Sequence, residues 1–297
     1  MPPSTQSLIA APRAPAVPNL RTLLALTKPR ITLLSVTTAA AGLALAPARV
    51  APGVLVNVVL GTSLVVGSAN TLNMYLEREI DGKMARTRDR PLPAGRVRPE
   101  LALGLGIAQG LAGLVSLTLG ANALTALLAA LALLVYVLVY TPMKQRSVNA
   151  LWVGAAAGAM PPLLGWTAAT GALSSAALAL FGVLLVWQIP HFLAIALFRR
   201  HEYQAAGLKV LPNERGERAT HWLIFWGLLL QLLLTLALPL LGLGGTLYTV
   251  GVVAFGALML GWSVLGLVRP VDDEWARRLF LLSVAFMPLL FALLLAS

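Results

Sequence analysis

The chain has no cysteine and little charge. Without cysteine it forms no disulfide, uses no thiolate nucleophile and holds no metal through sulfur, so its chemistry runs through oxygen and nitrogen ligands. Charged residues make up 11% of the 297, only 11 residues are acidic, and histidine occurs three times. What fills the chain instead is apolar: hydrophobic residues reach 58% and the mean hydropathy is +0.83. No water-soluble domain of this size needs that balance. The sequence reads as an all-α integral membrane protein.

Its apolar segments run for roughly 18 to 25 residues, the length that carries a helix across about 30 Å of hydrocarbon. Their Leu, Ala, Val and Gly content lacks the alternation of barrel strands. Nine transmembrane helices are predicted, over residues 30–47, 52–76, 99–119, 122–140, 149–169, 174–199, 221–242, 246–268 and 277–296. If the N-terminus is cytoplasmic, every Lys and Arg except Arg49 falls on the cytoplasmic side, as the positive-inside bias requires. The expected location is a bacterial inner (cell) membrane. The net charge of +11 is then a lipid-facing loop surface and not a nucleic-acid footprint. Residues 1–29, with prolines and no signal-peptide core, read as a flexible cytoplasmic tail, and residues 30–297 as a single membrane domain.

Two cytoplasmic connections are long, 77–98 and 200–220, and they lie four spans apart. That spacing suggests a parallel repeat of two four-helix groups whose long loops face one cavity, with the ninth helix added. The first loop carries the chemistry. Asn73, Glu77 and Asp81 are four residues apart, so on a helix they share one face over roughly 12 Å. One amide oxygen and two carboxylates suit Mg²⁺, which takes one or two carboxylates and completes its shell with water and phosphate oxygens. An ordinary helix end with solvated charges gives the same spacing. Lys83, Arg86, Arg88 and Arg90, crowded into a loop turned by Pro91, Pro93 and Gly95, favour a grip on diphosphate. Lys144 and Arg146 add to that face, as do Arg199, Glu202, Tyr203 and Lys209 from the second loop. Glu79 points elsewhere. A transporter would place its charges or broken helices near the midplane, whereas these carboxylates gather at one rim.

The segments NMYLEREIDGKMARTRDRPLPAGR, AMPPLLGWTAATG and WQIPHFLAIALFRRHEYQAAGLKVLP resemble signature blocks of the heme-farnesylating branch of the UbiA superfamily of intramembrane prenyltransferases. The resemblance covers the chain from Lys28 onward. It implies a nine-helix bundle with Mg²⁺-diphosphate between two cytoplasmic loops and an apolar cavity for the prenyl tail and its acceptor. Asn73, Glu77 and Asp81 match the first acidic motif, and Glu202 with Tyr203 matches the second, so Asn73, Glu77, Asp81 and Glu202 become the expected metal ligands. Glu77 replaces an aspartate found in many members, and His201 stands where an acid is common. The implied reaction joins farnesyl diphosphate to a vinyl group of heme B, giving heme O, and implies a downstream heme-modifying membrane enzyme as partner. A quinone-precursor prenyltransferase of the same fold is the alternative. Tyr75, Trp166, Trp187, Phe192 and Tyr203 are candidates to steady an allylic cation. His191, an imidazole within a span, is a candidate neighbour of heme iron.

Overall fold

The computed structural model describes residues 18–270 and 272–297. All of its regular structure there is helical. Seven helical segments are long and apolar enough to cross a membrane. They are Pro52–Leu76 (α3), Pro99–Gly120 (α5), Ala123–Met143, Ser175–Phe198 (α10), Glu217–Leu241, Thr246–Val268 (α14) and Asp273–Leu295 (α15). The other two predicted spans take different forms. Pro29–Leu45 (α2) is apolar but only 17 residues long. Residues 150–170 divide at Ala159 into Ala150–Gly158 (α8) and Met160–Thr170 (α9), because Pro161 and Pro162 have no N–H with which to continue the α8 ladder.

Part of the predicted tail is described. Residues 1–17 lie outside the described residues, but Leu20–Leu26 form a helix, α1. Asn19 caps it by accepting from Thr22 N at 2.9 Å, and Leu26 is fully buried in a cluster with Met74, Leu92 and Val97. Seven residues are too few to register as a span, so the hydropathy pattern hides this element.

Small residues set the closest crossings. A Cβ on Gly113 of α5 would come within 2.8 Å of the Gly61 carbonyl oxygen of α3. One on Gly165 of α9 would strike the Ala39 carbonyl of α2. Helices in lipid associate through such close packing, since apolar surface alone gives no preference for protein over lipid.

The span Ala123–Met143 is irregular. It begins as α6 (Ala123–Leu134), passes through a π-helical stretch at Val135–Tyr140, and ends in Thr141–Met143 (α7). Such π stretches re-aim side chains and are frequent at functional sites. The span Glu217–Leu241 likewise begins as α13 (Glu217–Ala237) and ends in a 3₁₀ turn. At the rim on this side, Arg78–Asp81 (α4), Arg200–Ala205 (α11) and Leu211–Arg215 (α12) fold the two long loops over the bundle. The loops touch: Ile80, Met84 and Ala206 are buried together, with Tyr203 and Leu208 packed against them.

Candidate active site

A cavity of about 310 Å³ lies under these loops, between α3, the π stretch and α10. One part of its wall is polar, made by Lys28, Asn73, Glu77, Asp81, Arg86, Arg90, Lys144 and Lys209. The remainder is apolar and aromatic, including Tyr136, Tyr140, Phe192, Leu193 and Leu211.

The acidic stripe survives the end of α3. Glu77 caps that helix, yet its N–H still bonds the Asn73 carbonyl at 2.9 Å and Asp81 N bonds the Glu77 carbonyl at 2.8 Å. Helical hydrogen bonding therefore keeps the three side chains on one face. All three are buried, whereas Glu79 is exposed and lies 3.8 Å from Arg78.

Each member of the stripe has a cation. Lys28 Nζ donates to Asn73 Oδ1 at 2.9 Å, Lys144 pairs with Glu77, and Arg90 donates to Asp81 Oδ2 at 2.7 Å. The Asn73 amide is oriented by its own donation to Thr141 Oγ1 at 3.2 Å, and Thr141 in turn donates to the Tyr136 carbonyl at 2.8 Å. Arg90 returns to the site because the buried Thr87 hydroxyl donates to the Asp81 carbonyl at 2.7 Å, folding the loop back.

Lys28 reaches Asn73 from an unusual backbone. It is the N-cap of α2 with φ 48° and ψ 69°, a left-handed conformation that costs a non-glycine residue about 1–3 kcal/mol. Desolvation, and then repulsion from Arg90 and Lys144, push its ammonium down to about 7, against the pull of Glu77 and Asp81. Arg86, Arg90, Lys144 and Lys209, with the titratable Lys28 amine beside them, outnumber the two carboxylates that line the cavity, a positive surplus that suits a polyanionic ligand.

Of the expected site residues, the structure gathers Asn73, Glu77, Asp81, Arg86, Arg90, Lys144, Phe192, Tyr203 and Lys209 at the cavity. Lys83, Arg88 and Arg146 are exposed and do not line it. Glu202 is turned to another task. Its Oε1 accepts from Arg86 N at 3.1 Å and its Oε2 from Arg199 at 3.1 Å, so it ties one loop to the other. Tyr75 lies outside the cavity under the Arg78 guanidinium, 4.8 Å from ring centre to Cζ. Trp166 is buried in the main core. Trp187 and His191 sit on the α15 side of α10, stacked at 4.8 Å. Sequence reasoning missed Lys28, Tyr136 and Tyr140. A lone lysine immediately before a proline at the mouth of a span was the available signal for the first.

The donor set fits Mg²⁺: one amide oxygen and two buried carboxylates beside cations able to meet the phosphate oxygens that complete its shell. Among the described residues no three His, Asp or Glu side chains cluster as a metal cage would require.

The family model described as the UbiA prenyltransferase family matches residues 35–287. The chain is similar to the protoheme IX farnesyltransferase of Anaeromyxobacter dehalogenans, 50% identical over 278 residues and 94% of each chain. It is similar also to that of Myxococcus xanthus, 43% identical over 283 residues, 95% of this chain and 96% of the other. A solved digeranylgeranylglyceryl phosphate synthase shares the fold with a TM-score of 0.80 at 18% identity, over 93% of this chain and 97% of its own. A UbiA homologue from Archaeoglobus fulgidus, bound to GPP and Mg²⁺, gives 0.63 at 16% identity, over 92% and 99%. By the extent of the family match and the identity of these relatives, the chain belongs to the UbiA prenyltransferase family.

Proposed function

We propose that the protein transfers the farnesyl group of farnesyl diphosphate to a vinyl group of heme B, making heme O. The observation that carries this reading is a cavity with a surplus of cations at one part of its wall and an apolar, aromatic remainder, in a chain half identical to protoheme IX farnesyltransferases. Such a cavity suits a ligand that is a diphosphate at one end and a prenyl chain at the other.

Lys28, Arg90 and Lys144, with Arg86 and Lys209 from the loops, hold the diphosphate and take up the negative charge that grows on it as the C–O bond breaks. Asn73, Glu77 and Asp81 would hold Mg²⁺, which when bound supplies Lewis-acid neutralisation of the same leaving group. Tyr136, on the cavity wall with its ring centre 5.0 Å from that of Tyr140, offers a π system to the allylic cation, while Tyr140 carries the Lys144 ammonium 4.8 Å over its ring. The packed loops, with Met84, Tyr203 and Leu208 against one another, keep water from capturing that cation early. Attack by the vinyl group forms the new C–C bond and leaves a carbocation at the vinyl-derived carbon; water adds there and gives up a proton to the released diphosphate, leaving a hydroxyethylfarnesyl side chain.

In this reading residues 30–297 work as one domain, the rim with loops 77–98 and 200–220 is cytoplasmic, and the membrane is the bacterial inner membrane. Pigment extracted from a host expressing the chain should contain a heme heavier by a farnesyl group and a hydroxyl group, and a small hydroxylated aromatic bearing the prenyl group instead would overturn the acceptor. Because the chain lacks cysteine, single cysteines placed in loop 77–98 and beside Arg49 report sidedness directly. The first should label only from the cytoplasm.

A further inference from the structure

Of the five tyrosine hydroxyls, only that of Tyr248 has a hydrogen-bond partner among the described residues, donating to the Thr235 carbonyl at 2.7 Å. Three of the other four, on Tyr136, Tyr140 and Tyr203, belong to side chains that line the diphosphate cavity. A phenol hydroxyl donates and accepts, so both functions remain available to a ligand there. The other polar groups of that wall are charged, except Asn73, whose oxygen accepts from Lys28 and whose nitrogen donates to Thr141.

Tyr140 is the most firmly placed of the three. The Lys144 ammonium stands 4.8 Å over its ring, and Tyr136 lies 5.0 Å away at 46°. The ring rests on Gly154 of α8, where a Cβ would come within 2.5 Å of Cε2 and 2.9 Å of Cζ. Every other residue type brings a Cβ into that seat. The backbone is tied to the same neighbour, since Lys144 N donates to the Tyr140 carbonyl at 3.2 Å. The ring is thus fixed beside a cation assigned to the leaving group.

The acceptor step needs a water at this end of the cavity. When one vinyl carbon bonds the first farnesyl carbon, positive charge moves to the other vinyl carbon, two bonds from the carbon that has just left the diphosphate. Whatever the pose of the porphyrin, that cation forms beside the leaving group. It then takes up water, or it loses a proton from the new CH2 group and becomes an alkene.

We propose that the Tyr140 hydroxyl holds the water that ends the reaction and relays its proton. The phenol oxygen accepts from the water while its own O–H donates to an oxygen of the released diphosphate. As the water oxygen forms its C–O bond to the cation, a water proton passes to the phenol oxygen and the phenol proton passes to the diphosphate. Tyr140 ends as it began, and the charge of the carbon is cancelled by the proton gained on the diphosphate. The relay rests on the heme acceptor reading above; it makes Tyr140 a catalytic residue for hydration and Gly154 the residue that positions it.

Tyr140→Phe keeps the ring under Lys144 and removes only the relay. Supplied with farnesyl diphosphate, Mg²⁺ and heme B, the purified variant should still farnesylate heme. The alkene product, lighter by one water, should rise against the hydroxylated product by ~10-fold or more, because a positioned proton-transfer group contributes about 10²–10⁴-fold to its step. Mass spectrometry of the extracted heme reads the ratio, and a thermal midpoint near the parent's shows that each variant is folded. Gly154→Ala, which displaces the ring, should shift the ratio the same way; an unchanged ratio there removes Gly154 from the proposal. If Tyr140→Phe gives the parental ratio, water reaches the cation unaided, and the relay is wrong while the acceptor reading stands. If the folded variant forms no farnesylated heme of either mass, Tyr140 serves the ionisation step and the relay is again wrong. If the parent itself forms none, the acceptor reading fails and this proposal with it.

Discussion

The two long loops look like counterparts in sequence, yet their acidic residues live in different electrostatic worlds. In the first, Glu77 and Asp81 are buried and pair with Lys144, a residue of another connection, and with Arg90, brought back by a folded loop. In the second, Glu202 pairs with Arg199 one turn away, Glu214 with Lys209 at 2.9 Å, and Glu217 with Arg200 at 3.1 Å, all part-exposed. Buried charges survive only with close partners, and losing one partner is costly; exposed pairs contribute about 0–1 kcal/mol. The first loop therefore supplies the buried charged end of the cavity, while the second packs over it.

The strongest way to break this contrast is Asp81→Asn, which removes a buried charge facing Arg90. Turnover should fall by about 10²–10³-fold, as when one electrostatic stabiliser of a departing anion is lost. Glu77→Gln should act similarly, with the protein still in the membrane by quantitative blot. Retention of near-parental turnover in either variant would make the stripe structural.

Lys28→Met comes next. Loss of a charged hydrogen-bonding group is worth about 1.5–3 kcal/mol, so kcat/KM for farnesyl diphosphate should drop by roughly 10–100-fold. Steady-state assays over a range of diphosphate concentrations measure it. A variant with unchanged kcat/KM would remove Lys28 from the site.

Glu202→Gln sharpens the contrast from the other side. Gln keeps an oxygen for Arg86 N and loses only the charge toward Arg199, so the effect should stay within about 1 kcal/mol, under ~10-fold in kcat/KM. A loss as large as that of Asp81→Asn would make Glu202 a metal ligand and restore symmetry between the loops. Smallest of all is Glu79→Gln, an exposed side chain whose half-buried partner Arg78 lies 3.8 Å away; activity and thermal midpoint should match the parent.

Much of this was legible in the sequence for plain reasons. Hydropathy marks where helices can cross, and the spacing of Asn73, Glu77 and Asp81 survives because the hydrogen bonds run on past Glu77. Other features were invisible because they rest on local exceptions. Lys28 joins the cavity only through a left-handed cap. Tyr136 and Tyr140 are aimed by a π stretch that no 3.6-residue period foresees, and the break at Ala159 sits inside an apolar run. The diversion of Glu202 to the Arg86 amide depends on how two loops pack, which neither loop states alone.

The pairing of Asn73 with Lys28, Glu77 with Lys144 and Asp81 with Arg90 has a thermodynamic consequence. A divalent ion arriving alone must compete with three cations for its oxygens, and a diphosphate arriving alone must compete with those oxygens for its cations. Arriving together, they exchange partners with one another's former mates. The two affinities are then linked by a coupling free energy, and reciprocity requires each to raise the other by the same factor. In the proposed function, the cavity therefore takes up the metal and its diphosphate more readily together than either alone.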